Sequence, residues 1–214
     1  MRKLILKMSV SADGFVGGPN GEIDWIFRSM GEDVTAWTVD TLWQAGVHIM
    51  GSRTFHDMAS YWPTSSEPFA APMNEIPKVI FTKKGFLEPT NEELTTNALK
   101  DARINSEGLF NASDAVSLHT SSWAHATVAD EDIYVEIMRL KHQEGKFILA
   151  HGGAGFAHSL IDSGLIDEYR LLIHPVILGN GLALFSEVSS PFDLQLVSST
   201  PFKTGVIANV YRPA

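Results

Sequence analysis

The chain contains no cysteine, which rules out disulfides, thiolate metal ligands and cysteine nucleophiles. It is also short of positive charge: 16 Lys and Arg stand against 25 Asp and Glu, a net charge of −9 at pH 7. General affinity for nucleic acid or an anionic membrane needs a basic surface, so neither is an expected partner. Any phosphate site must be local, built from a few basic side chains and backbone amides. No apolar run approaches the ~18 residues of a membrane span, and Met1 to Met8 is too short and too charged for a signal-peptide core. A cytoplasmic protein is expected. No Gly-Lys-Ser/Thr occurs for a P-loop, and no Gly-x-Ser-x-Gly for a hydrolase elbow. His151 and His158 could share a face, but no third ligand is evident, so no metal site is expected.

What is present fits one α/β domain over residues 1–214, with 44% apolar and 19% charged residues. Strands are predicted at Leu4 to Val10, Val47 to Met50, Lys78 to Thr82 and Phe147 to Ala150. Tyr169 to Leu178 reads as a long strand whose Pro175 suits an edge or a bulge. Helical spacing marks Val34 to Ala45, stopped by Gly46, and Glu131 to Glu144, capped by Asp130 and stopped by Gly145. Strands alternating with helices imply a mostly parallel sheet. Phe192 to Val197 and Val206 to Tyr211 read as a closing antiparallel extension. Residues 87–118 are polar and weakly periodic, and read as an insertion.

The most informative segment is Phe147-Ile-Leu-Ala-His151-Gly152-Gly153-Ala154-Gly155-Phe156, a strand running through glycines into a helix that Gly164 would end. Backbone amides and a helix N-terminus exposed in this way can hold an anion such as a nucleotide pyrophosphate. Glycine equally serves a plain turn that needs positive φ. The run fails the Rossmann fingerprint, because His158 stands where its third Gly or Ala belongs. Two more strands end in polar residues, at Gly51-Ser52-Arg53-Thr54 and at Thr82-Lys83-Lys84-Gly85. Ligands of open α/β sheets bind beyond the carboxyl ends of strands, so these positions count together.

In that combination the chain resembles the dihydrofolate reductase-like superfamily, most closely the branch containing the reductase domain of bacterial riboflavin biosynthesis. The matching pieces are Ser11-Ala-Asp13-Gly-Phe-Val16, Gly21-Glu-Ile-Asp24-Trp25, Met50-Gly-Ser-Arg53-Thr54, Lys78 to Thr82, His151-Gly-Gly-Ala154, Ile166 to Leu171, His174 to Gly181 and Phe202 to Pro213. The resemblance implies a three-layer α/β/α fold and an NADPH-dependent reductase, delivering hydride to a C=N or related bond of a small heterocycle. It implies Arg53 and Thr54 at the adenosine 2′-phosphate, Thr82 and Lys83 beside the adenosine, and Gly51 in the same strand-end motif. Gly152 and Gly153, with Ala154 and Gly155, would hold the pyrophosphate, the glycine pair through a cis peptide. Ser9 and Val16 would lie near the nicotinamide carboxamide, and Trp25 would border the substrate. A homodimer is also expected. Hydride transfer to C=N needs a proton source, for which Asp13, Asp24 and Asp33 are candidates, Asp13 and Asp33 foremost. A turn role for Asp13 and a helix-start role for Asp33 compete with that reading. Relatives in the riboflavin branch commonly carry an acid just before the glycine pair, where this chain has His151. A dihydrofolate or pterin reductase, or a non-catalytic NADPH-binding module, is the alternative.

Overall fold

The computed structural model describes residues 1–82, 122–186 and 188–214. The expected insertion at 87–118 and Lys83 therefore lie outside the described residues. β1 (Leu4–Ser11) is buried along most of its length on both faces, as a central parallel strand must be. Around it an eight-stranded sheet runs in the order β5 (Thr127–Ala129), β4 (Lys78–Phe81), β3 (Ala45–Gly51), β6 (Phe147–Ala150), β1, β7 (Glu168–His174), β10 (Ile207–Pro213), β9 (Leu194–Pro201). The first six strands in that order are parallel, and β10 and β9 add the antiparallel end. A separate short pair joins β2 (Phe15–Gly17) to β8 (Leu182–Ala183).

Alternation along β1 divides the core. Leu4, Leu6, Met8 and Val10 pack with Ile137 and Leu140 of α5 (Ile133–His142) and with Ala157, Leu160 and Ile161 of α6 (Ala154–Asp162). Ile5 points the other way, into a cluster with Leu42 of α2 (Glu32–Trp43), Phe55 of α3 (Ser52–Tyr61) and Met73 of α4 (Ala70–Glu75). A third cluster joins Val34 of α2 to Leu172, Val206 and Ala208. These are the three layers that the resemblance implies. The one-turn α1 (Asp24–Phe27) sits ahead of α2.

Glu168, 4% exposed, is held by Arg170 (2.9 Å) and Arg212 (3.2 Å), and Arg170 also reaches Thr41 of α2 at 3.3 Å. A buried carboxylate needs such partners, because its desolvation is otherwise uncompensated. Where the chain enters β1, the Asp167 carboxylate accepts from the Leu4 N–H (2.6 Å) and pairs with Lys141 (2.6 Å).

Several boundaries differ from expectation. α5 starts at Ile133 and ends at His142, because Asp132, not Asp130, caps it by accepting from the Tyr134 (2.9 Å) and Val135 (3.4 Å) amides. α2 ends at Trp43, and Gly46 lies inside β3. β7 stops at His174, and it is an interior strand, so Pro175 falls outside the ladder it could not serve. No helix among the described residues is long and apolar enough to cross a membrane.

Candidate active site

β3, β6 and β1 are neighbours in the sheet, and their carboxyl ends form a common rim. β3 passes at Gly51 into α3, with Arg53 exposed in the first turn. β6 passes through His151, whose N–H still donates to the Ile49 carbonyl (2.9 Å), into the glycine pair and α6. The Gly153 N–H donates to the Thr54 hydroxyl at 2.9 Å and ties the two loops together. Thr82 follows β4 on the same rim and donates its N–H to the Ala129 carbonyl (3.4 Å).

Close approach, rather than a left-handed backbone, is what these glycines provide. None of Gly152, Gly153 and Gly155 is in the left-handed region. A Cβ on Gly152 would lie 2.7 Å from Met8 Cε and 2.8 Å from its sulfur. One on Gly153 would meet the Thr54 hydroxyl at 3.0 Å, and one on Gly51 would meet Phe156 Cβ at 3.3 Å. Gly155 has open space around it, and Ala154 opens α6. The expected cis bond is absent: no described peptide is cis, and Gly153 enters α6 with φ 12° and ψ 143°.

Beside this cradle lies a polar floor on the α2 and α3 side of the sheet. Strand register puts Lys7, Ser9 and Ser11 on the face of Ile5, with His174 beside Ser11 and, one step beyond the Leu6–Ala150 pair, His151 beside Lys7. His48 of β3 follows the same parity, opposite Leu149. The His48 and His151 rings meet edge to face, 4.6 Å apart at 70°, at 0% and 7% exposure. His174 is fully buried, contacts the Ser29 hydroxyl through Nδ1 (2.7 Å) and packs edge-on against Trp25 at 5.3 Å. Nε2 of His151 and of His174, and the hydroxyl of Thr38 on α2, are buried without hydrogen-bond partners. Groups of this kind cost roughly 1–3 kcal/mol each unless water or a bound molecule meets them.

Burial sets the charge states. It pushes the half-buried Lys7 ammonium down to about 8. His48 is lowered to about 3 by burial and then by Lys78, and His174 to about 4 by burial and then by Lys7. His151 is held well below the usual range by burial, then by His48, Lys7 and Lys78. At neutral pH the floor is therefore three neutral imidazoles and one amine. Lys78 is a different case: its ammonium is used up by the Ile76 carbonyl, the Ser122 hydroxyl (2.7 Å) and the Trp123 ring (4.5 Å).

The three acids expected as proton donors are engaged elsewhere. Asp13 accepts from the Ser11 hydroxyl (2.6 Å) and the Gly179 (2.7 Å) and Leu178 (3.1 Å) amides, and these bonds, Ser11 first, lower its pKa. Asp33 accepts from the Lys203 and Val34 amides, both at 3.0 Å, and is lowered too. Asp24 pairs with Arg28 at 2.6 Å. A carboxyl that donates at neutral pH needs a raised pKa, so the geometry makes Asp13 and Asp33 loop anchors.

Of the other expected residues, Trp25 is buried with its N–H on the Glu22 carbonyl (3.2 Å), Ser9 is half-buried on the floor, and Val16 packs into the Met8 and Val10 cluster. Lys7, His48, His174 and Thr38 escaped the sequence reading. The available signal was Lys7-x-Ser9-x-Ser11, a polar stripe along a strand whose partners bury both faces.

The family model of the RibD C-terminal domain matches residues 2–208. The chain belongs to this family. The uncharacterized protein YyaP of Bacillus subtilis is 30% identical over 211 residues, 99% of this chain and 95% of that protein. The deaminase/5-amino-6-(5-phosphoribosylamino)uracil reductase of Thermotoga maritima superposes over 100% of this chain and 57% of its own, with 18% identity and a TM-score of 0.65. Dihydrofolate reductase of Enterococcus faecalis, solved with NADP(H), superposes over 99% of this chain and 96% of its own, with 13% identity and a TM-score of 0.55. The RibD C-terminal architecture thus has the dihydrofolate reductase fold, as the resemblance implies.

Because folding depresses the Asp13 pKa, its contribution to stability is present above the unfolded value near ~3.9 and is lost as pH falls through the folded one. Asp13→Asn is expected to lower the melting temperature at pH 7. The gap from the parent protein should narrow as the pH drops below about 4, which thermal unfolding across a pH series measures.

Proposed function

We propose that this RibD C-terminal protein is an NADPH-dependent reductase, acting on a C=N or related bond of a small heterocycle of the 5-amino-6-(5-phosphoribosylamino)uracil kind. The observation that carries this reading is the join of cradle and floor. Two glycine-opened helix starts, bonded to each other through Gly153 and Thr54, stand beside one half-buried, unpaired amine. NADPH supplies the hydride when bound. The residues fit it: the space that a Cβ on Gly152 would need is filled by Met8, so the chain there is bare backbone against the strand. The amides of Gly152 to Gly155 and the α6 N-terminus would take the pyrophosphate. Arg53 is exposed and would pair with the 2′-phosphate, with Thr54 and Ser52 alongside. Lys83 and Thr82 would flank the adenosine. Ser9 and Val16 would border the nicotinamide, and Trp25 the substrate.

In this reading Lys7 replaces the aspartates as proton source. Its ammonium has no hydrogen-bond or ion-pair partner among the described residues, and a pKa of about 8 leaves it mostly protonated at pH 7 while easing release of the proton. Lys7 would give its proton to the nitrogen of the reduced bond, and solvent would reprotonate the amine. We also propose a homodimer through β9. This outermost strand has no charged residue, and Leu196 and Val197 are exposed on it. Uncapped edges of that composition pair with another chain.

Arg53→Ala should weaken NADPH much more than NADH, by about 1.5–3 kcal/mol for the lost charge-assisted contact. Fluorescence titration checks this, and equal losses would contradict the assigned role. Lys7→Met should lower kcat/KM by about 10²–10⁴-fold in NADPH-oxidation assays with 5-amino-6-(5-phosphoribosylamino)uracil. The parent rate should fall as pH rises through about 8, where the amine loses its proton, and the variant should lack that limb. NADPH binding without oxidation of that compound or any pterin would instead indicate a binding module. Leu196→Asp should convert the dimer to monomer in analytical ultracentrifugation; an unchanged sedimentation coefficient would eliminate the β9 interface.

A further inference from the structure

The chain carries Asn-Gly twice, at Asn20-Gly21 and at Asn180-Gly181. A glycine after asparagine leaves the following backbone nitrogen unshielded and free to rotate toward the asparagine side chain, which makes such pairs chemically labile. The fold treats the two pairs in opposite ways.

Asn20 is protected. Its Nδ2 donates to Glu22 Oε1 (2.7 Å) and its N–H to Glu22 Oε2 (2.9 Å), while the Gly21 N–H donates to the Gly18 carbonyl (3.0 Å). Attacking nitrogen and leaving amide are both committed, and the Glu22 carboxylate opposes negative charge on the Gly21 nitrogen. Asn180 is exposed, and neither its side chain nor the Gly181 N–H has a hydrogen bond among the described residues. A larger residue at 181 could not shield it. A Cβ there would collide with the Gly17 carbonyl oxygen and lie 3.3 Å from Gly18 Cα, where β8 crosses β2 with Leu182 opposite Gly17. The close approach of these two segments therefore fixes the labile pair in place.

We propose that Asn180 is a self-modification site, at which Gly181 closes on the Asn180 side chain and ageing loosens the loop that Asp13 anchors. The Gly181 nitrogen loses its proton and bonds to Asn180 Cγ. The Cγ–Nδ2 bond breaks, and Nδ2 departs as ammonia to leave a succinimide. Water then opens either of its carbonyls, giving aspartate or isoaspartate. Isoaspartate routes the main chain through Cγ, adding a carbon between Gly179, whose amide donates to Asp13, and Leu182, which pairs with β2. Both products also place a new carboxylate one residue from the amide that the Asp13 carboxylate needs.

The test ages the full-length protein in warm, mildly alkaline buffer below its melting temperature and measures isoaspartate at each pair by electron-transfer peptide mapping. Asn180 should convert at least about tenfold faster than Asn20, because Asn20 and Gly21 must first give up their hydrogen bonds. In urea the two rates should converge, and Glu22→Ala should raise the Asn20 rate severalfold in the folded protein. The aged parent should melt about 2–4 °C below the fresh protein. Asn180→Ser, which has no amide to lose, should melt at one temperature before and after ageing. Equal or faster conversion at Asn20 in the folded protein, or none at Asn180, overturns the proposal. So does a tenfold gap that persists in urea, since sequence and not fold would then set it. A parent converted at Asn180 that still melts with the fresh protein overturns the loosening of the Asp13 loop.

Discussion

The parallel docking of β1 between β6 and β7 is the constraint on which the rest of the molecule depends. With hydrogen bonds on both edges, β1 cannot slip by one residue without exchanging its two faces. One face is wholly apolar and seals α5 and α6 to the sheet. The other changes character along its length, from Ile5 in the dry core through Lys7 to Ser9 and Ser11 at the rim. The same register that builds the core therefore places an amine and two hydroxyls along the polar floor.

Charge distribution follows from that placement. The chain as a whole is acidic, yet the floor carries imidazoles and an amine while the nearby carboxylates are committed to backbone amides or arginines. Burial keeps the imidazoles neutral, so the site gains hydrogen-bonding capacity without accumulating positive charge. Burial brings two amines toward physiological pH, Lys7 to about 8 and Lys78 to about 7, and of the two Lys78 is held by the Ile76 carbonyl and the Ser122 hydroxyl.

The long periodic elements were legible in the sequence. Phe147 to Ala150, its glycines and the helix ending before Gly164 fall where the pattern placed them, and Gly164 adopts φ 67° just beyond the helix. The short pairings were not legible. β2, β5 and β8 have two or three residues each, too few to show a period, and exist because a distant segment meets them. The strand ends that share the rim could be located because each is readable by itself. The floor could not, since His48, His151 and Lys7 are separated in sequence and converge only through register. The partners of Asp13 were hidden for a related reason: a carboxylate looks the same in sequence whether it faces a substrate or the amide of a loop 166 residues away.

Asp13 spans two segments, the turn after β1 and the chain after β7, at a single side chain. Neither segment can swing outward alone without stripping amides from a carboxylate and leaving all of them to find water. That end of the cleft is mechanically one piece, closer to a wall than to a flap. The cost of ordering that rim is therefore met once, during folding.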